Sequence, residues 1–295
     1  MIALQKQDLL SKQSSTTLAD IETTYNASTT YGVGDKVSYN ARTWKSTADS
    51  NVENEPADGS LKWFDENPTN STAWADDFPT TMSENNGDIV LVFENLSPFS
   101  YISIANMYGE QLKIKVEEAN GTILLDKTID IFEAFDPADH AEYWSVFKDA
   151  KLKKNHFEKI DFFNIGTKVT ITITAKDDQA SLGFLAVGGG VNLGCTYAEL
   201  TVSRDDDLEV FEKNNGEKVI IGGKGWRTAN YKLSFHEIER LKDAEELLDE
   251  LLGVTTLFIG ADTNESYISL GFYQSWEMNV PEKTVTFSVY SSDKY

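Results

Sequence analysis

The chain has 295 residues, of which 48 are acidic and 26 are basic, so its formal net charge is −22. So acidic a surface repels phosphate backbones and anionic lipids, which disfavours a nucleic-acid-binding or membrane-surface protein. Apolar residues make up 40% of the chain and aromatic residues 12%, which excludes a largely disordered protein. The single cysteine, Cys195, excludes an intramolecular disulfide and a cysteine-based zinc cluster within one chain.

The first residues of the chain lack the apolar run of a secretory signal. No stretch of the sequence reaches the roughly 18 apolar residues that are needed to cross a bilayer. We therefore expect a protein that is made in the cytoplasm, is not exported by a standard route and does not insert into a membrane.

Residues 1–20 are largely polar, and we expect them to form an N-terminal arm or linker. Residues 21–70 are expected to form a small β module. Apolar and polar residues alternate from Lys36 to Ala41, which is typical of a strand with one exposed face, and Gly32 and Gly34 indicate a turn before it. A module of this size must depend on its aromatic side chains for a core.

Residues 71–188 contain many short apolar stretches, several of which alternate with period 2. Residues 118–121 predict a hairpin turn. Strands are predicted at 88–93, 101–105, 112–116, 122–126, 169–174 and 182–187. Strands at this spacing favour an antiparallel β-sandwich. Residues 138–155 interrupt the pattern, and we expect a helix or long loop there that carries Tyr143, Trp144 and Phe147.

Gly188–Gly190 are expected to break the chain and to mark a domain boundary. The apolar residues of segment 234–252 fall on one stripe with acids opposite, which predicts an amphipathic helix. Ser234 and Glu237 predict a capping box at its start, and Gly253 predicts its end. Three further strands are predicted, at 256–259, 267–272 and 283–290.

These elements predict a mainly β multidomain fold. The predicted order is an N-terminal arm (1–20), a small aromatic β module (21–70), an antiparallel β-sandwich (71–188) and an α+β C-terminal domain (189–295). We find no internal repeat and no long low-complexity segment in the sequence.

The sequence gives little support for catalysis or for a bound cofactor or metal. Asp205–Asp207 lacks the spacing of a calcium-binding loop, and we expect a solvated acidic turn. Gly222–Gly225 lacks the spacing of a phosphate-binding loop, and we expect a hairpin. The three histidines are widely spaced and are expected to be ordinary surface or core residues: His140, His156 and His236. We therefore expect a protein that is not an enzyme.

The module carries a recognisable pattern of aromatic and turn residues. It reads Tyr-Gly-Val-Gly-Asp-Lys-Val-Ser-Tyr over residues 31–39, followed by Trp44-Lys45, then Asn54-Glu-Pro56 and finally Trp63. This pattern resembles the chitin-binding modules that are attached to chitinases and other polysaccharide-degrading enzymes. Such modules usually have two adjacent aromatic residues near their end, and Trp63-Phe64 occupies that position in this chain.

The resemblance implies that exposed aromatic rings stack on the apolar C–H face of a sugar, while neighbouring polar groups bind its hydroxyls. It indicates Tyr25, Trp44 and Trp63 as the candidate carbohydrate-binding residues. The alternative is that these aromatic residues are simply the core of the small module.

A second resemblance extends over nearly the whole chain. The stretch Asn67-Pro-Thr-Asn70, followed closely by Trp74 and by Asp77-Phe78, is similar to a family of tailed-bacteriophage virion proteins of the tail or minor structural type. This resemblance implies a structural protein of the phage particle, located in its tail, that forms homo-oligomers, contacts other virion proteins and attaches to a host surface glycan.

Two alternatives remain open. The chain could be a phage collar or capsid-decorating protein whose sugar module is vestigial. It could also be a non-catalytic binding subunit of a polysaccharide-degrading system.

Overall fold

The computed structural model describes residues 2–57, 59–76, 81–131, 153–162, 165–193, 195–196, 201–205, 208–212, 218–222, 226–235, 238–253, 256–259 and 268–292. Over these residues the fold is mainly β, with several antiparallel sheets and one α-helix, which confirms the predicted class. The predicted residues Tyr143, Trp144 and Phe147 lie outside the described part of the chain, as do His140, His236 and Glu237.

The strands in chain order are β1 (Ile2–Lys6), β2 (Gln13–Thr16), β3 (Lys36–Tyr39), β4 (Arg42–Ser46), β5 (Trp63–Pro68), β6 (Ser83–Asn85), β7 (Ile89–Leu96), β8 (Tyr101–Tyr108), β9 (Gln111–Glu117), β10 (Ile123–Asp130), β11 (His156–Lys159), β12 (Thr167–Thr174), β13 (Ala180–Asn192), β14 (Cys195–Thr196), β15 (Thr201–Asp205), β16 (Leu208–Glu212), β17 (Lys218–Gly222), β18 (Trp226–Ser234), β19 (Thr256–Ile259), β20 (Ile268–Gly271), β21 (Trp276–Asn279) and β22 (Thr284–Ser292). The α-helix, α1, spans Ile238–Glu250, and short 3-10 turns lie at Leu10–Lys12 and Ala73–Ala75.

The chain forms two compact units. The larger contains Gln7–Val187, and the smaller combines Met1–Lys6 with Gly188–Tyr295. Strand β13 runs through the position where they divide, so its first part belongs to the larger unit and its second part to the smaller.

The larger unit contains a five-stranded antiparallel sheet in the order β10-β9-β12-β7-β2. Strand β12 shows why these residues form strands: its side chains are alternately buried and partly buried along all eight residues. A second sheet of this unit contains β11, β8, β6 and the first part of β13. Buried side chains of β7, β8, β9, β12 and β13 join one hydrophobic cluster, which is the main core of this unit.

The smaller unit has β18 paired along its whole length with β22, and β1 lies between β13 and β19. Helix α1 contributes Leu241, Ala244 and Leu248 to the core of this unit, and Leu251, directly after the helix, joins them. The hydroxyl of Tyr273 donates a hydrogen bond to the carbonyl of Leu248, and the N–H of Gly253 donates to the carbonyl of Tyr273. Gly253 has a φ of +74°, the left-handed conformation that commonly ends helices.

Three local predictions were wrong. Residues 1–20 do not form a free arm, because Ile2–Lys6 and Gln13–Thr16 are strands paired with distant partners. Gly188–Gly190 do not interrupt the strand but pair with β1 inside β13, although the two compact units do divide between Val187 and Gly188. Ser234 does not cap the helix, since it is the last residue of β18 and pairs with Thr284.

Candidate carbohydrate-binding face

The three-stranded sheet β3-β4-β5 forms the centre of the predicted binding module, residues 21–70. Residues directly opposite one another on antiparallel strands project from the same face of the sheet. Lys36 pairs with Lys45, and Lys45 with Phe64, so these three side chains share one face. Val37 and Trp44 pair in the next register, and their side chains therefore project from the opposite face.

That opposite face is the core of the module. Val37, Trp44 and Trp63 are buried together with Tyr31, and Tyr25 and Tyr39 pack against them. The ring of Trp63 lies edge-on to both Tyr31 and Tyr25, with ring centroids 5.3 Å and 5.9 Å apart. These aromatic rings supply the hydrophobic contact area that so short a segment lacks otherwise.

The structure corrects the prediction that Trp44 and Trp63 are sugar platforms. Trp44 is 5% exposed and Trp63 is 3% exposed, so neither ring has a free face. Their polar groups are also used internally: the indole N–H of Trp44 donates to the carbonyl of Tyr39 at 3.1 Å, and that of Trp63 to the carbonyl of Asn54 at 2.8 Å. Both tryptophans are structural residues of the folded module.

Tyr25, the third predicted binding residue, lies in the same cluster and keeps some exposure. Its ring is stacked on Tyr31 at 5.8 Å and meets the edge of Tyr39 at 5.6 Å, so much of the ring surface is already covered. Its hydroxyl is buried and has no hydrogen-bond partner among the described residues. Burial raises the pKa of Tyr25, and the nearby carboxylates Glu53 and Glu55 raise it further.

Phe64 is the aromatic side chain that the module does expose. Phe64 is 60% exposed, although the preceding residue, Trp63, is buried. Around it lie groups that can donate and accept hydrogen bonds. Lys45 is its cross-strand partner, and Thr43 pairs with Asn67 in the adjacent register on the same face. We call the surface formed by Lys36, Thr43, Lys45, Phe64 and Asn67 the Phe64 face.

Glu66 positions the two lysines of the Phe64 face. Its carboxylate lies 2.5 Å from Nζ of Lys36 and 3.7 Å from Nζ of Lys45. Glu66 occupies the extra position of a β-bulge, because Thr43 pairs with Asn67 while Trp44 pairs with Asp65. The hydrogen bond that the Lys36 ammonium donates to the Glu66 carboxylate raises the pKa of Lys36, whose ammonium therefore stays charged.

The sequence contained a signal for Phe64 that the prediction did not use. Consecutive residues of a strand project from opposite faces, so the pair Trp63-Phe64 cannot be buried on one side. Once Trp63 is assigned to the core, Phe64 must face away from it. The burial of neither residue could be assigned before the pairing of β4 with β5 was known.

No protein-family model matches this chain, and no curated protein matches its sequence. The proposals below therefore rest on the residues and geometry of the chain itself, together with the resemblances noted above.

Two further features limit the chemistry of the described residues. Within the described ranges, no three or more His, Cys, Asp or Glu side chains are grouped so that they could hold a metal ion. Likewise, no helix in the described part of the chain is both long and apolar enough to span a membrane. The Phe64 face itself offers an exposed ring bordered by ammonium, hydroxyl and carboxamide groups.

Proposed function

We propose that this chain is a non-enzymatic structural component of a tailed-phage particle, part of its tail or adsorption apparatus, that binds host surface polysaccharide through the Phe64 face. The resemblance of residues 67–78 to phage virion proteins supports the first part of the proposal. The observation that carries the second part is the 60% exposure of Phe64 on the outer face of a sheet whose other face is a closed aromatic core.

Physical chemistry favours a sugar as the ligand of this face. Leaving a phenyl ring in water is unfavourable, and covering it with the C–H face of a pyranose removes apolar surface on both sides. Phe64 has no polar group of its own, so Lys45, Thr43 and Asn67 must bind the hydroxyls or acetamido groups. One ring gives weak binding at a single site. Many copies in a homo-oligomeric virion would convert weak binding into strong attachment.

The remaining domains are proposed to be the scaffold. Two sheets that share one hydrophobic cluster support a β-sandwich for residues 71–188, and helix α1 with its surrounding strands supports an α+β domain for residues 189–295. Such a scaffold would contact other virion proteins, and the protein would be made in the host cytoplasm and located in the particle.

The test of sugar binding is co-sedimentation of the full chain with insoluble chitin and with purified host cell-wall polysaccharide. Phe64→Ala is expected to lower binding about tenfold or more, and Phe64→Trp is expected to retain it, since stacking on a sugar is worth on the order of 1–2 kcal/mol per ring. The matched control is Leu61→Ala, which removes an even more exposed apolar side chain of the same module (95% exposed) without removing a ring.

Unchanged binding by the Phe64→Ala variant would contradict the proposal that the Phe64 face binds polysaccharide. If no polysaccharide sediments the parent chain, the module is vestigial and only the scaffold role survives. The location is tested separately by mass spectrometry of purified phage particles, in which absence of the chain would favour a binding subunit of a polysaccharide-degrading system.

A further inference from the structure

The larger unit contains an open cavity of about 350 Å³ outside the aromatic module. Its floor and one wall come from β13 and β6, which pair Ser181 with Glu84. Its other wall comes from the end of β8, at Asn106 and Tyr108, and from Lys154 just before β11. A cavity of this volume lies at the small end of ligand sites and has room for one or two sugar rings.

The floor of the cavity holds a buried hydroxyl with a poor partner. Ser181 is 8% exposed, and its Oγ lies 3.8 Å from Sδ of Met82. A thioether is a weak hydrogen-bond acceptor, so this hydroxyl leaves most of its bonding capacity unused. Met82 is 37% exposed and has a flexible side chain, so it can move aside for a stronger partner.

The rim carries polar groups that are available to a ligand. The side chains of Glu84, Asn86, Lys154 and Gln179 line the cavity, and none of them has a hydrogen bond or ion pair to another described side chain. Among the described residues of the lining, one carboxylate and one ammonium balance in charge, although the whole chain carries −22. The half-buried ring of Tyr108 adds an apolar surface to this wall.

The composition of the lining selects the class of ligand. A phosphorylated ligand would require several cations, and the described residues of the lining supply one, in a strongly acidic protein. An apolar side chain would require a mainly apolar lining, whereas polar and apolar groups contribute about equally to this one. Carboxamides and carboxylates placed beside an aromatic ring match the alternating hydroxyls and C–H groups of a pyranose.

We propose that this cavity is a second saccharide-binding site, which takes one or two neutral pyranose rings. Ser181 and Glu84 bind hydroxyls of the sugar from β13 and β6. Gln179 and Lys154 bind hydroxyls at the rim of the cavity. The ring of Tyr108 contacts a C–H face of the sugar. This proposal does not rest on the Phe64 face, since it uses none of the residues of the aromatic module.

The experiment uses the full chain carrying Phe64→Ala, so that binding at the module does not contribute. Saturation-transfer NMR is recorded with N-acetylglucosamine, methyl α-glucoside and lactose, each at about 10 mM, because isolated saccharide sites of this kind bind in the millimolar range. At least one of the three is expected to give a signal. Adding Ser181→Ala or Glu84→Gln is expected to weaken its binding about tenfold, by loss of one hydrogen bond.

Glu94→Gln is the matched control. Glu94 is an exposed carboxylate on β7 that does not line the cavity, and its substitution changes the net charge as Glu84→Gln does. It is expected to change binding less than about twofold. Ser181→Ala changes a buried residue and could alter the shape of the cavity. Glu84 is exposed, so Glu84→Gln tests the site without that effect. Absence of any saccharide signal from the Phe64→Ala protein would overturn the proposal, as would equal binding by the Glu84→Gln and Glu94→Gln variants.

Discussion

Trp63 and Phe64 are consecutive residues of β5, yet Trp63 is 3% exposed and Phe64 is 60% exposed. The pleat of the strand places the indole in the core and the phenyl ring in solvent. The two rings therefore have separable roles, one in folding and one in binding. Substitutions at the two positions should accordingly affect different measurements.

Trp63→Ala should unfold or strongly destabilise the module. The change removes a buried ring that contacts Tyr25 and Tyr31, and it leaves the carbonyl of Asn54 without its indole donor. Deleting a buried tryptophan costs about 3–5 kcal/mol. Amide hydrogen exchange, which measures local stability, should show loss of protection across β3, β4 and β5.

Phe64→Ala is the control for that experiment. An exposed side chain contributes little to stability, so its removal should alter the protection of the same amides by less than about 0.5 kcal/mol. Retained protection in Trp63→Ala would show that the indole is not a core residue, and the platform role of Trp63 would have to be reconsidered.

The ion pair between Arg42 and Asp65 should contribute little to stability despite its good geometry. Nε of Arg42 lies 3.0 Å from both carboxylate oxygens, and Nη2 lies 2.7 Å from one of them. The two side chains are 41% and 28% exposed, however, so water and salt screen their attraction. A double-mutant cycle with Arg42→Ala and Asp65→Ala should give a coupling energy of at most about 1 kcal/mol that decreases in high salt. A coupling that is larger and insensitive to salt would contradict this prediction.

Gly109→Ala should destabilise the larger unit. A Cβ at this position would lie 2.5 Å from Cγ2 of Ile173 and 2.6 Å from the carbonyl oxygen of Thr174. That carbonyl also accepts the hydrogen bond of the Glu110 N–H at 2.8 Å, so the backbone cannot move away without weakening this bond. We expect a loss of about 1–3 kcal/mol in the free energy of unfolding, measured by urea denaturation.

The control is Gly189→Ala, at a strand glycine whose added Cβ would meet no atom within 4 Å. Its effect should stay within about 0.5 kcal/mol. Equal losses in the two variants would mean that general glycine effects, and not the close approach to β12, determine the result.

His156 should make the larger unit less stable in mild acid. It is 8% exposed, and Nε2 lies 2.9 Å from Oε2 of Glu158. Burial lowers the pKa of His156 because it disfavours the charged ring, and this effect exceeds the opposing effect of the hydrogen bond to the Glu158 carboxylate. Lys153 and Lys127 lower the pKa of His156 further.

The direction of this pH effect follows from the protonation of His156 in the unfolded chain and in the folded chain. The unfolded chain takes up the proton at about pH 6.5, whereas the folded chain takes it up only at a lower pH. Stability is therefore complete above about pH 6.5 and decreases as the pH falls toward the folded-state pKa. Urea denaturation at about pH 7.5 and pH 5.5 should show a smaller loss of stability for His156→Gln than for the parent. Identical losses in the two proteins would show that other groups cause the acid sensitivity.

Much of the local structure could be predicted because period-2 patterns mark half-buried strands. Segment 169–174 was predicted from alternation alone and lies within β12. The turn at 118–121 also forms, with Gly121 at a φ of +87° and the N–H of Glu118 bonded to the carbonyl of Thr122. Such features depend on nearby residues, so the sequence specifies them directly.

Other features depend on residues far apart in the chain, and the sequence could not indicate them. Ile2–Lys6 has no clear alternation and becomes a strand because β13 and β19 lie on either side of it. Ser234 has the sequence signature of a helix cap, but pairing of β18 with β22 extends the strand through it. Tertiary pairing overrides local propensity in both cases.

The candidate site was predicted in part, and the error has a simple cause. The pattern located the module and its aromatic cluster, which the structure brings together as Tyr25, Trp44 and Trp63. It could not tell a ring that holds a small fold together from a ring that meets a ligand, since both roles use the same residue types. The cavity beside Ser181 had no sequence signature, because β6, β8 and β13 supply it from separate segments.

The central position of β1 in the smaller unit has a consequence for synthesis on the ribosome. Residues 2–6 leave the exit tunnel long before their partners in β13 and β19, which emerge only after the whole larger unit has been made. Early folding of residues 7–187 would shorten the loop that separates the partners and lower the entropy of closing it. A fragment that starts at residue 188 would expose two unpaired strand edges where β1 belongs, so we expect it to aggregate unless a peptide of residues 1–6 is supplied.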